Sequence, residues 1–388
     1  MAKIRKMTVV KQEDIPAISI ELCNKMLGDL ERAKRPLIKA VKCSLDNSFY
    51  NHKVGYLEPG NKEVRTELNV SSVKKLSRTI FMLEILLRNI STGAVNTKRE
   101  LYYISKGEVK HNKRLAPLDF QEQGESDGII DFVCETLSCY REELNCYAND
   151  RGGQTYSQQL VVTETMPDGG TAVIDLSGLG TSPFQPKNRP QNLRLKAKKK
   201  IEFCLVVESE GTANTLVANG FTRRHSCIVV GAQGVPSNAV RGWLRRIQDQ
   251  LKVPIYFFGD LDAYTLQNIY RTLKAGSAAS LIRNSEYSAP EVRFLGILPE
   301  DIKRYDLSDY PVKEGDAQEV RALKKARDAL NNDPFFKDRN NKGLARLLKW
   351  LLENKRRCEQ QALFTVDPRD PTMPEQIIVK KIRAGDYI

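Results

Sequence analysis

"VPIYFFGDLDAYTLQNIYRTLKAG", Val253 to Gly276, joins an apolar run, two aspartates and a helix-forming stretch without a break. Ile255 to Phe258 is apolar at every position rather than at alternate ones. That is the pattern of a strand covered on both faces. The same unit stands twice upstream. "IEFCLVVE" (201–208) leads into "GTANTLVANG" (211–220), and "SCIVVG" (226–231) leads into "PSNAVRGWLRRIQDQL" (236–251). Strand then helix, three times over, predicts a parallel sheet flanked by helices.

In an open parallel sheet, ligands bind outside the carboxyl ends of the strands. Glu208 closes the first run, and Asp260 and Asp262 follow the third. One such carboxylate is ordinarily a helix cap or a solvated strand end. Three from two strands converge at one edge, and they repel one another unless a cation lies between them. Magnesium suits oxygen ligands, keeps several waters and bridges to phosphate.

Upstream, Ser182 to Lys200 is rich in proline and lysine, with no acidic residue between Lys187 and Lys200. It reads as a basic connector and a domain boundary, with Lys198, Lys199 and Lys200 solvated; a nuclear signal is the weaker reading. Before it, "QQLVVTET" and "TAVIDLSG" predict a hairpin across "MPDGG". Further back, "SSVKKLSRTIFMLEILLRN" is a helix with serine caps, and "NISTGAVN" is a turn. Thr97 with Glu100 forms a capping box that starts the next helix near Lys98. Helix, glycine-containing turn, helix outlines a winged-helix or helix-turn-helix unit. Tyr102 and Tyr103 fall on the second turn of its last helix, flanked by Lys98 and Lys106. Arg99 is three and four residues before the two phenols, within helical reach of either. "SDGIIDFVCETLSCYREELNCYAND" predicts one further helix. At the N-terminal end, Asp14 to Ala33 is an amphipathic helix, docked either on a partner or on its own domain. Ala317 to Leu363 is mostly helical and highly charged.

Net charge of +13 points to nucleic acid as partner, although a ribosome-associated or membrane-surface protein shares that balance. No apolar run reaches the roughly 18 residues of a membrane span, and the first residues lack a signal-peptide pattern. The eight cysteines form no CxxC pair, which predicts reduced thiols in a cytoplasmic protein. Three histidines leave little room for histidine catalysis or a zinc hydrolase.

"EFCLVVESEGTANTLVANGF" and "YFFGDLDAY" resemble the two acidic motifs of the Toprim domain. The order "TKRELYYISKG", "QGESDGII", "LVVE", "GVPSNAVRGWLRRI", "VPIYFFGDLD", "LKAGS" and "FLGILPEDI" resembles the DNA topoisomerase VI A-subunit family, from about residue 70 to about 310. That family includes the eukaryotic meiotic double-strand-break protein. The resemblance implies an α/β and α+β multidomain chain, with a winged-helix domain followed by a Toprim domain whose parallel sheet is flanked by helices. The expected divisions are a partner-docking N-terminal helix and extension (1–68), a DNA-binding winged helix (69–181), the linker (182–200), and Toprim with a helical C-terminal part (201–388).

The resemblance further implies that Tyr103 is the nucleophile, with Arg99 beside it. Glu208, Asp260 and Asp262 would hold Mg2+. Lys98, Lys106 and Lys198–Lys200 are candidate contacts to double-stranded DNA. In the family a homodimer brings one chain's tyrosine to the other's metal site. A separate B subunit of the GHKL ATPase type binds ATP and makes a heterotetramer; this chain has no GxxxxGK[ST]. A nucleoid-associated place in the cytoplasm is expected, with no membrane partner. Two departures stand out. Ala232-Gln233-Gly234, with Ser237 following, replaces the usual glycine-lysine-glycine and aspartate. The proline and glycine that usually follow the second aspartate are missing. Alternatives are a standalone programmed-break protein, a DNA-binding homologue with weakened chemistry, and a Toprim nuclease or primase-like enzyme.

Overall fold

The three apolar runs are strands. The computed structural model describes residues 9–147, 153–166, 169–186, 190–313 and 316–388. In it Phe203–Val207 pairs in parallel with Cys227–Gly231 on one side and Ile255–Phe258 on the other. Val292–Phe294 continues the sheet in parallel beyond Ile255–Phe258, and antiparallel Gln154–Tyr156 closes the opposite edge. Every residue of the three runs is buried, which is why none of them alternates. The chain leaves the central strand to one side, then crosses back to the other. The strand order therefore reverses between Phe203–Val207 and Ile255–Phe258, and a ligand crevice opens at such a switch point.

The described chain divides into two compact units: 9–49 with 58–147 and 278–283, and 50–57 with 153–277 and 284–388. This differs from the expected division at both ends of the winged-helix region. The N-terminal extension shares the first unit's core, since Ile15 is buried in one cluster with Phe81, Leu86, Leu101 and Ile130. Ile38 and Ala40, from the strand Leu37–Val41, pack with Leu76 and Phe132.

The stretch read as a linker is also largely structured. Leu193–Ala197 is a strand, antiparallel to Leu160–Thr165, which pairs on its other side with Thr171–Asp175. Leu193 is buried while Arg194 and Lys196 are exposed, so the basic residues are the outward half of an alternating strand. The expected hairpin is present, with Pro167 and Asp168 of its turn outside the described residues.

Within the first unit the helices are Ile15–Glu31, Val73–Thr92, Lys98–His111 and Gln123–Leu137. Gly93 ends the second of these at a φ of 71°, a left-handed position suited to glycine. Neither Ser71 nor Ser72 caps its start through a side chain. Asn69 Oδ1 instead accepts the N–H groups of both, at 2.9 Å each. The helix expected to run on to residue 150 stops at Leu137, where Ser138 turns left-handed and Cys139, Leu144 and Cys146 fold back into the core. Residues 148–150 lie outside the described residues. Among the described residues no helix is long and apolar enough to cross a membrane.

Candidate active site

The capping box forms as expected. Thr97 Oγ1 accepts from Glu100 N at 3.2 Å, and Glu100 Oε2 accepts from Thr97 N at 2.6 Å. Two orphan N–H groups are thereby satisfied, and the phenols are fixed one turn further on. Their surroundings differ. Tyr102 packs partly against the core and donates its hydroxyl to Gln121 O at 3.2 Å. Tyr103 is 59% exposed, sits edge-on to Tyr102 at 5.2 Å between ring centroids, and has no hydroxyl hydrogen bond among the described residues. Arg99 is exposed and makes no ion pair among the described residues. The free phenol and the free guanidinium therefore share one short, well-capped helix.

The candidate DNA-contacting lysines are less uniform. Lys98 Nζ lies 3.0 Å from both oxygens of Asp131, Lys106 Nζ 3.1 Å from Asp119, and Lys198 Nζ 2.8 Å from Asp175. Such surface pairs contribute little to stability and exchange readily for a phosphate. Lys199 and Lys200 are exposed without an ion pair among the described residues. Lys98 and Lys106 belong to the first unit, and Lys198–Lys200 to the second.

Glu208, Asp260 and Asp262 all lie in the second unit, just past the ends of the adjacent strands Phe203–Val207 and Ile255–Phe258. Glu208 directly follows the central strand, and its Oε2 accepts the N–H of Asp260 at 3.1 Å. Thr265 Oγ1 donates to the same carboxylate at 3.0–3.1 Å. Thr265 N donates to Asp262 Oδ1 at 2.6 Å, so Asp262 also caps the turn that follows. Asp260 Oδ1 accepts from Gln360 N at 2.8 Å. Burial, then the charges of Asp260 and Asp262, push the Glu208 carboxyl up to about 8. Burial also raises Asp260 and Asp262 above the ordinary carboxylate range.

A hard divalent cation fits these residues. The donors are all oxygen, and a cation would offset the burial penalty and neighbouring charges that raise the carboxyls. Among the described residues no group of three or more His, Cys, Asp or Glu side chains is placed to hold a metal ion, so the fit rests on the chemistry of the oxygen donors and not on a preformed cage. An open set of this kind suits magnesium, which usually takes one or two carboxylates plus waters and phosphate.

Sequence reading missed Thr265, Gln360 and Gly259. A Cβ on Gly259 would lie 2.6 Å from Glu208 Oε2 and 2.5 Å from the Phe257 ring. Gly259→Ala is therefore expected to displace the carboxylate and cost about 1–3 kcal/mol of stability. Urea unfolding reads this, and an unchanged midpoint would contradict it. The remodelled loop is built into the site. Gly234 N donates to Glu208 O at 3.0 Å, and Gln233, at a φ of 59°, bonds through its side chain to Glu210. Ser237 caps the next helix, accepting from Val240 N at 3.3 Å.

Two family models match the chain. The model for type IIB DNA topoisomerase covers residues 74–146, which include the tyrosine helix. The model for the Toprim domain of the topoisomerase 6 A subunit and Spo11 covers residues 203–381, which include the acidic cluster. The type 2 DNA topoisomerase 6 A subunit of Methanocaldococcus jannaschii is 33% identical over 346 residues, covering 89% of this chain and 88% of that protein. The proteins of the same name from Pyrococcus abyssi and Natronomonas pharaonis are 27% identical over 377 residues and 28% over 320. These matches cover 95% and 82% of this chain, and 94% and 83% of those proteins.

Proposed function

Since the chain belongs to the family of type 2 DNA topoisomerase 6 A subunits, we propose that it makes and reseals transient double-strand breaks through a covalent link to Tyr103. The observation that carries this reading is the contrast between the two phenols. Tyr102 is packed and bonded, whereas Tyr103 is exposed and about one turn from Arg99, which makes no ion pair among the described residues.

In the reaction, Tyr103 Oη attacks a backbone phosphorus. The new tyrosine–phosphate ester forms as the bond from phosphorus to one deoxyribose oxygen breaks. The phenol loses its proton, and the departing oxygen takes one up as a DNA hydroxyl. One ester replaces another, so resealing by the reverse attack needs no ATP at this step. A free tyrosine titrates near 10. The Arg99 guanidinium stabilises charge gathering on the phosphate oxygens. Glu208, Asp260 and Asp262 would hold Mg2+, which when bound neutralises charge at the phosphate. Thr265 and Gln360 keep all three carboxylates in place through the bonds already described.

Tyrosine and carboxylates stand in different compact units. We read the working enzyme as a homodimer in which each break uses one chain's Tyr103 and the other's carboxylates. An ATP-binding B subunit drives the cycle. Incubation with Mg2+ and supercoiled duplex, followed by denaturant, tests this reading. A protein–DNA adduct that survives denaturation is expected, and its absence in the assembled complex would sink the proposal.

DNA binding is expected to weaken steeply with salt, because lysines that neutralise phosphates release counterions. Changing Lys198, Lys199 and Lys200 together to alanine should weaken binding to every sequence alike. The slope of log affinity against log salt should fall by about 0.9 for each phosphate no longer neutralised. Fluorescence anisotropy across a salt series measures this, and an unchanged slope would remove these lysines from the interface.

A further inference from the structure

Leu261 stands between Asp260 and Asp262, and its backbone is bonded to a segment almost a hundred residues away. Leu261 N donates to Cys358 O at 2.9 Å, and Cys358 N donates to Leu261 O at 3.2 Å. This antiparallel bridge sets Arg357 opposite Asp262 and Glu359 opposite Asp260. Gln360 N, one residue further, holds Asp260 Oδ1. The segment 357–360 is therefore part of the acidic edge, and it brings a guanidinium there.

We propose that Arg357 is a phosphate-contacting residue of this site, held in reserve by Glu319 until DNA takes the carboxylate's place. The proposal rests on the DNA-cleaving reading given above. Arg357 Nη1 lies 3.0 Å from Glu319 Oε1, in the first turn of the helix Ala317–Asn332. Its side chain is 33% exposed, and that of Glu319 is 13% exposed.

The neighbouring Arg356 shows what a purely structural arginine looks like here. It grips both oxygens of Asp309 with two of its nitrogens. Among the described residues Arg357 makes a single side-chain bond, to Glu319, which uses one of its five N–H donors. A guanidinium fork matches the geometry of two phosphate oxygens, and the exchange replaces one anion by another. Glu319 is itself disfavoured as a charged group where it sits, first by burial and then by Asp262. An incoming phosphate therefore displaces a carboxylate that burial already disfavours as a charged group.

The test uses the full chain, with its B partner for the adduct, and three variants: Arg357→Gln, Arg357→Lys and Glu319→Gln. Affinity for a short duplex in Mg2+ is read by anisotropy across a salt series. Arg357→Gln is expected to weaken binding about tenfold and to lower the salt slope by about 0.9. Arg357→Lys should restore the slope with only part of the affinity. Glu319→Gln frees the guanidinium and should tighten binding several-fold, a change of sign that loss of a structural tie does not produce. Glu319→Gln keeps Arg357, so it carries the test if Arg357→Gln fails to fold. Wild-type affinity and slope in both Glu319→Gln and Arg357→Gln, beside a normal wild-type adduct, would make the pair a structural tie and overturn the proposal. No adduct from the wild-type complex would instead overturn the reading on which it rests.

Discussion

Tyr103→Phe is expected to abolish the denaturant-resistant DNA adduct while leaving the fold and DNA binding in place. The change removes one oxygen from a ring that is 59% exposed and that makes no hydroxyl hydrogen bond among the described residues. Stability should therefore stay within about 0.5 kcal/mol of wild type. Adduct formation should fall by ~10^4-fold or more, the scale on which an enzyme loses rate with its nucleophile. Tyr102→Phe has the opposite profile. It breaks the bond to Gln121 O and should cost about 0.5–1.5 kcal/mol of stability. It should nevertheless keep most of the adduct. Gel analysis of the adduct beside urea unfolding of both variants separates the phenols. An active Tyr103→Phe with a dead Tyr102→Phe would show that the wrong one has been assigned.

What could be read from the sequence was local or repeated. Runs such as Phe203–Val207 lack alternation because burial on both faces removes the reason for it, so the parallel sheet and its acidic end are visible in one dimension. The capping box of Thr97 and Glu100 spans only three residues, and it correctly placed the tyrosine helix. Leu193–Ala197 was hidden because its lysine and arginine mimic a solvated connector; only pairing with Leu160–Thr165 reveals the alternation. The helix end at Leu137 depends on Ser138 adopting a left-handed conformation, which serine does not advertise. At the site, Glu208, Asp260 and Asp262 were legible as strand ends. Gln360 and Arg357 were not, because the Leu261–Cys358 bridge that delivers them joins segments far apart in the chain. Thr265 was overlooked for a different reason. Its two roles, backbone donor to Asp262 and hydroxyl donor to Glu208, appear only once both carboxylates are in place.

Glu208→Gln is expected to eliminate the adduct and, without metal, to make the protein more stable at alkaline pH. The Glu208 carboxyl is raised from 4.5 to about 8, first by burial and then by Asp260 and Asp262. Between those values the folded chain keeps a proton that the unfolded chain has lost. The resulting stability is complete below about pH 4.5 and disappears as pH rises through 8. Each pKa unit corresponds to about 1.4 kcal/mol, so the wild type should lose a few kcal/mol across this window. Glutamine has no proton to lose there, and its oxygen can still accept from Thr265 and Asp260 N. The variant should therefore show a flatter pH profile and a higher metal-free Tm at pH 8.5. Mg2+ should act in the opposite sense. At pH 8.5 the ionised trio gains stability from the ion, by about 2.7 kcal/mol at a hundredfold excess over Kd. At pH 5.5 that gain should shrink, because a proton already occupies Glu208. With Glu208→Gln the Mg2+ shift should nearly vanish at both pH values. Calorimetry of wild type and variant at pH 5.5 and 8.5, with and without Mg2+, reads all of these changes together. A variant no more stable than wild type at pH 8.5, with the wild-type Mg2+ shift intact, would mean that Glu208 is not a ligand and that its carboxylate carries no unrelieved repulsion.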